Sequence, residues 1–245
     1  MKTLFKTINL FLLGIFIMPS FLLLFCNNNK NLSYIGYYSD NNYFETGTST
    51  YSDFYIEYDS YTMTEVLMQR SVPLYNNVTQ LNSCAPMAAT IVLGFYDLDF
   101  PNLIPNAEVG RWYNGKYYYS GTSTQVINIK EHIYDLMGTN TEAPGTSVNQ
   151  FKTGFRAYVL EQDYNIQFNS CGALNFNSLS NYLNNQQPIV VFFNSYRFFI
   201  DGVISDDGTK LTFYERSSNN GHVAVCYGYR EYTFTKNNNR CCPCG

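Results

Sequence analysis

The chain is short of charge, short of histidine and, in its first quarter, short of aliphatic side chains. Charged residues make up 14% of the 245 and the formal net charge is −4, so there is no basic field to hold a phosphate backbone and nucleic acid is excluded as an expected partner. Only two histidines are present, His132 and His222. Any nucleophile that needs an imidazole base must use one of them. From Asn27 to about Asp59 the sequence is rich in Asn, Ser, Thr and Tyr with almost no aliphatic residues. It cannot bury much aliphatic surface, and residues 27–60 are expected to form a polar N-terminal arm or spacer. No internal repeat is visible.

What is present is enough apolar material for a packed core. Hydrophobic residues are 45% of the chain, and its length suits one large domain, or one domain with a short N-terminal segment. Residues 1–26 carry Lys2 and Lys6 ahead of an apolar stretch from Ile8 to Phe25. That is the layout of an export signal, and the run is also long enough to cross a bilayer. Pro19 and Ser20 interrupt it and no small-x-small cleavage site is clear after it, so a cleaved signal peptide and a retained membrane anchor both stand. Cys26 would suit a lipoprotein, but Phe25 is bulky where a small residue is needed. Each reading puts the rest of the chain outside the cytoplasm, secreted or membrane-anchored, and touching the membrane through this segment if it is uncleaved.

Core-like sequence begins near Tyr61, and residues 61–245 read as one domain. TMTEVLMQRSVPLY suits a strand, with Pro73 at its edge or end. Pro101 and Pro105 mark a loop, and Asn114-Gly115 between aromatic residues marks a hairpin. Val126, Ile129, Ile133 and Leu136 keep helical spacing, with Ser123 or Thr124 as cap and Gly138 as stop. A second helix has Ser147 as cap and Val148, Phe151, Phe155 and Val159 on one face; a third, shorter one spans Ser178 to Leu183. Beyond Pro188 come strands: IVVFF, RFFIDGVI, a turn at Asp206 to Thr209, KLTFYE and HVAVCYGYR. Helices followed by a largely antiparallel sheet give an α+β fold class with the two segregated.

The chemistry centres on Thr79 to Asp97, TQLNSCAPMAATIVLGFYD. Asn82 or Ser83 can cap a helix, Pro86 suits its first turn, and Met87 to Phe95 is apolar on every face, which predicts a buried helix starting at Cys84. A thiol there feels the positive end of the helix dipole, which lowers its pKa from about 8.5 toward the thiolate form. An inert buried cysteine is the blander reading. Of the two candidate bases, His132 lies among Lys130 and Glu131 on the flank of an amphipathic helix and reads as a solvated side chain. His222 opens the strand HVAVCYGY directly after the loop SSNNG, where a side chain at the strand's lip can face a cleft; its blander reading is a histidine satisfied by a loop carbonyl. The order Cys84 then His222, and their separation, match papain-type enzymes. Cys171 repeats the local pattern of Cys84, but the next helix is not expected before Asn177, so this thiol lacks a helix terminus and reads as structural. Cys226 lies four residues beyond His222 on the same side of the strand, about 13 Å away at strand rise, too far for a partner.

NSCAPMAATIVLGFYD, the helix followed by QQPIVVFFN, and NNGHVAVCYGYR resemble the bacteriocin-processing (double-glycine) peptidase family and its secreted relatives, over about Ser71 to Arg230. The resemblance implies a papain-like cysteine peptidase fold, N-terminal helices packed on a mainly antiparallel sheet. It implies Cys84 as nucleophile, His222 as general base and acid, a peptide or other acyl substrate, and an acyl-enzyme. No cofactor and no metal are expected. Three features depart from the family. Cys84-Ala85-Pro86 stands where Cys-Gly-Pro is usual. The usual oxyanion-hole glutamine position falls on Val78, which leaves Gln80 as the candidate donor, with Asn82 and Asn77 behind it. The residue that orients the histidine, an Asp or Asn on the following strand, would fall at Asn237, Asn238 or Asn239, where KNNN reads as a hairpin turn.

After that turn comes RCCPCG, with Cys241, Cys242 and Cys244. Three readings stand for it: clustered thiolates on a metal, although the spacing fits no common zinc site; disulfide pairing, with seven cysteines leaving one over; and a domain truncated before its closing strand. Two functions follow from different classes. One is an extracytoplasmic cysteine peptidase working through Cys84 and His222; the other is a non-catalytic surface protein that keeps the peptidase fold and binds peptides in an aromatic-lined groove. Oligomeric state is not set by the sequence.

Overall fold

The computed structural model describes residues 7–14, 32–36, 50–70, 72–73, 75, 80–105, 111–113, 116–118, 124–170, 176–193, 196–218 and 221–235. In chain order these form β1 (Thr7–Gly14), β2 (Leu32–Gly36), β3 (Thr50–Glu57), β4 (Ser60–Leu67), α1 (Cys84–Tyr96), β5 (Arg111–Tyr113), β6 (Lys116–Tyr118) and α2 (Thr124–Met137). They continue as α3 (Val148–Glu161), β7 (Asn165–Ser170), α4 (Phe176–Asn184), β8 (Ile189–Phe193), β9 (Tyr196–Asp206), β10 (Lys210–Ser218), β11 (His222–Cys226) and β12 (Gly228–Thr235). Cys26, Asn77, Val78, Cys171, Asn237 to Asn239 and the cysteines of the tail lie outside the described residues.

The helices form where apolar spacing and caps demand them. α3 opens on a capping box: Ser147 Oγ accepts from the Gln150 backbone N–H at 3.2 Å, and Gln150 Oε1 accepts from the Ser147 N–H at 2.8 Å. α2 stops at Gly138, whose φ of +58° a side chain would strain. Their apolar faces meet α1 in one core with Val126, Ile129, Ile133, Phe151, Phe155 and Val159.

The sheet that carries the site has the order β11-β8-β1-β7. β8 reads IVVFF because it is covered on both faces. Val190 and Phe192 enter the core shared with α1, α2 and α3, while Ile189 and Val191 enter a second core with Leu179 and Leu183 of α4. Two three-stranded sheets, β3-β10-β9 and β2-β12-β4, enclose a third cluster of Ile56, Tyr58, Leu211, Phe213, Tyr232 and Phe234. The turn at Asp206 to Thr209 forms as expected. Asp207 Oδ1 accepts from the N–H groups of Thr209 and Lys210 at 2.9 and 2.7 Å, and Tyr58 Oη donates to Asp206. Tyr113 pairs with Lys116 across residues 114–115, the hairpin read from Asn-Gly.

At three places the structure adds pairing that the sequence does not signal. Residues 27–60, read as an arm or spacer, supply β2, paired with β12, and β3, paired with β10. A strand is held by backbone bonds, and the Tyr and Thr that replace aliphatic residues here are good strand formers. Within residues 1–26, read as an export signal or membrane anchor, Thr7–Gly14 forms β1, parallel to both β7 and β8. An apolar run suits a strand bonded on both edges as well as it suits a bilayer. Among the described residues no helix is long and apolar enough to cross a membrane. Finally HVAVCYGYR, read as one strand, is two. β11 pairs with β8, and after Tyr227 the chain leaves for β4. Gly228 permits that close approach: a Cβ there would sit 2.5 Å from Leu67 Cδ2 and 2.7 Å from the Val66 carbonyl.

Candidate active site

α1 begins at Cys84 because the residues before it are locked in a turn and those after it are apolar on every side. From Ala85 to Phe95 every residue except Ile91 is buried. The Ser83 carbonyl accepts the first helical bond, from Met87 N at 2.9 Å, which makes Cys84 the first residue of the helix. Neither expected side-chain cap is used. Ser83 has φ −83° and ψ 11° in place of an extended backbone and makes no cap bond, while the Asn82 amide donates to Asn140 Oδ1 at 2.7 Å. Ser83 is 2% exposed, and its Oγ, like Gln80 Oε1, is buried with no hydrogen-bond partner. Two polar atoms in the four residues ahead of the thiol are therefore desolvated and unsatisfied, a cost that native proteins rarely carry without a use.

Cys84 is half-buried. No acidic side chain in the first turn of α1 offsets the positive end of the helix. Cys226 contrasts with it: its thiol is buried, bonds the Gly228 carbonyl at 3.4 Å, and is pushed up to about 12 by burial.

His222 opens β11 opposite Phe193 of β8 and is 9% exposed. α1 packs against β11. Ala85 and Val223, the neighbours of Cys84 and His222, belong to one core cluster; Phe95 and Cys226, toward the other ends of the same two elements, belong to the second. Cys84 and His222 are thus the first residues of two elements packed together, and Gln80 lies in the turn leading into one of them. His132 is elsewhere. It is exposed on α2, bonded to Glu161 Oε2 of α3 at 2.7 Å, and edge-on to Tyr158, the solvated setting expected of it. Among the described residues no group of three His, Cys, Asp or Glu side chains could hold a metal.

A model of the peptidase C39-like family matches residues 69–239. The chain belongs to this family. The match covers more than half of the chain, spans Gln80, Cys84 and His222, and contains the Ser71 to Arg230 stretch that carries the resemblance. Peptidase C39-like membership brings the papain-type fold and the cysteine peptidase class, and with them peptide or protein substrates. Among the described residues, four helices and mainly antiparallel pairing agree with that α+β architecture. No curated protein and no solved structure matches the chain.

Sequence reasoning missed two residues of this C39-like site. Tyr134 and Asn140 both bond the Leu81 carbonyl, at 3.2 and 3.1 Å. The only signal was local: an Asn shortly after the helix stop Gly138 suits a left-handed turn, and Asn140 has φ +66°. Nothing in the sequence pointed from that turn to Leu81.

Proposed function

We propose that this C39-like chain hydrolyses peptide bonds with Cys84 as nucleophile and His222 as general base and acid. The observation that carries the reading is that Cys84 and His222 begin the two elements, α1 and β11, that pack together. His222 takes the thiol proton and the sulfur attacks the substrate carbonyl carbon. The tetrahedral intermediate collapses, the C–N bond breaks, and His222 returns the proton to the departing amine. Water, deprotonated by His222, then attacks the thioester and releases the acid, with the proton going back to the sulfur. Pro86 has no N–H and the Met87 N–H bonds the Ser83 carbonyl, so the Cys84 and Ala85 N–H groups at the start of α1 are the ones that suit an oxyanion. Gln80 is the side-chain donor of that hole: rotation of its amide puts Nε2 where Oε1 lies buried and unpartnered.

Turnover of a mixed peptide library, followed by mass spectrometry, tests the reading. Cys84→Ala and His222→Ala are expected to abolish cleavage, and Gln80→Ala to lower it roughly a hundred- to a thousand-fold, the usual loss for one oxyanion donor. Cleavage that survives Cys84→Ala overturns it. Peptide binding without turnover in the native chain, unchanged by Cys84→Ala, selects the non-catalytic peptide-binding protein instead.

The reading extends outside the cytoplasm, supported by Lys2 and Lys6 ahead of the Ile8 to Phe25 stretch. β1 competes for the same residues, because a signal cleaved near residue 26 takes away the strand between β7 and β8. The mass of the protein recovered from its producing cells decides: a chain starting near Asn27 supports export, and an intracellular chain that keeps residues 1–26 contradicts it.

A further inference from the structure

The turn ahead of Cys84 is gripped by one side chain from the loop that follows α2. Asn140 Oδ1 accepts from Asn82 Nδ2 and from the Gly145 N–H, both at 2.7 Å. Its Nδ2 donates to the Leu81 carbonyl at 3.1 Å and to Tyr134 Oη at 2.6 Å. Every bonding capacity of that amide is used. Tyr134 Oη in turn donates to the Leu81 carbonyl at 3.2 Å. Asn82, which these bonds hold, has φ +60°, a left-handed backbone that a non-glycine residue adopts at a cost.

The grip comes from a loop that is firm without it. Thr139 Oγ1 and Thr146 Oγ1 share a bond at 2.8 Å, Thr141 Oγ1 donates to the Gly138 carbonyl at 2.6 Å, and Gln150 Nε2 donates to the same carbonyl at 3.0 Å. Leu81 and Asn82 lie between Gln80 and Ser83, so their fixing sets both where α1 starts and where the Gln80 amide lies.

We infer that Asn140 is a positioning residue for the nucleophile: it holds Leu81 and Asn82 in the one backbone shape that presents Cys84 and Gln80 together. The inference rests on the reading of Cys84 as nucleophile. Asn140 acts through the turn, where misplacement by about 1 Å is enough to cost a hundred-fold in rate.

The test follows Cys84 alkylation by iodoacetamide against pH, with kcat and KM for peptide cleavage, in purified full-length variants. Asn140→Ala is expected to slow alkylation at pH 7 and to lower kcat by about ten- to a hundred-fold, with KM changing far less. Asn82→Ala is expected to do the same and Asn82→Gly to restore most of the loss, since glycine adopts φ +60° freely. The Asn82→Ala/Asn140→Ala double variant is expected to match the worse single one. Thr146→Val removes a bond from the same loop and is expected to leave the alkylation profile alone. Native alkylation and kcat in Asn140→Ala, or an equal loss in Thr146→Val, overturn the inference while leaving Cys84 as nucleophile. A native chain whose Cys84 reacts no faster than in denaturant removes the nucleophile reading and this inference with it. Should Asn140→Ala fail to fold, Asn82→Ala against Asn82→Gly decides: restoration by glycine supports the inference, and equal rates overturn it.

Discussion

Replacing Ser83 with alanine should make the protein more stable. Its hydroxyl is buried and unpartnered beside Cys84, in a residue 2% exposed. An unsatisfied buried hydroxyl costs about 1–3 kcal/mol. Alanine removes that cost and leaves a void smaller than a methyl group, so a net gain of about 1 kcal/mol is expected after the lost packing is subtracted. In a chain of this length that raises Tm by about 2–4 °C. Thermal unfolding of native and Ser83→Ala protein at pH 7, followed by circular dichroism, reads the shift. The same substitution is expected to reduce peptide turnover, because a polar group kept buried at a loss is found where function uses it. A Tm that falls by a few degrees refutes the reasoning, since it would mean that the hydroxyl is satisfied in the folded protein.

Asp97 and Cys226 extend the same logic to titration. Burial raises the Asp97 carboxyl above its ordinary value, against the lowering effect of the backbone N–H groups of Ile104 and Leu103. The ionised form is therefore the disfavoured one in the fold. That penalty is present in full above the raised folded pKa and disappears as pH falls through it toward the unfolded value. Asp97→Asn keeps the oxygen that accepts from Ile104, so it is expected to be more stable than native protein at pH 7 and to lose that advantage near pH 3. Denaturant unfolding at the two pH values checks this, and an advantage that grows on acidification contradicts it. Cys226, with its thiol pushed up to about 12, is expected to resist iodoacetamide at pH 8 in folded protein and to react only once the chain is unfolded, as peptide mapping would show; labelling as fast as Cys84 contradicts its burial.

The helical part of the fold was legible because its signals are local. Ser147 with Gln150 caps α3 as its spacing suggests, and IVVFF is the unbroken apolar run that a strand covered on both faces requires. What was not legible depends on partners distant in the chain. β2 and β3 are strands because β12 and β10 supply their ladders, and nothing within residues 27–60 names those partners. β1 is an apolar run that a bilayer or a sheet would accept equally, and nothing in the run names β7 and β8 as its partners. The break between β11 and β12 turns on a glycine pressed against β4. At the site, the start of α1 at Cys84 followed from the change from polar to apolar residues, whereas its means did not. The turn is held by Asn140, distant in the chain, and not by a side-chain cap at Ser83 or Asn82.

The central claim is that Cys84 and His222 work as a pair. Its most direct measurement is the pH dependence of alkylation at each of the seven cysteines, mapped by mass spectrometry in native protein and in His222→Ala. The account predicts that Cys84 reacts first, at a pH below that of an ordinary thiol near 8.5, and that His222→Ala loses the reactivity at low pH. A Cys84 no faster than the other cysteines, or the same profile with and without His222, would contradict it.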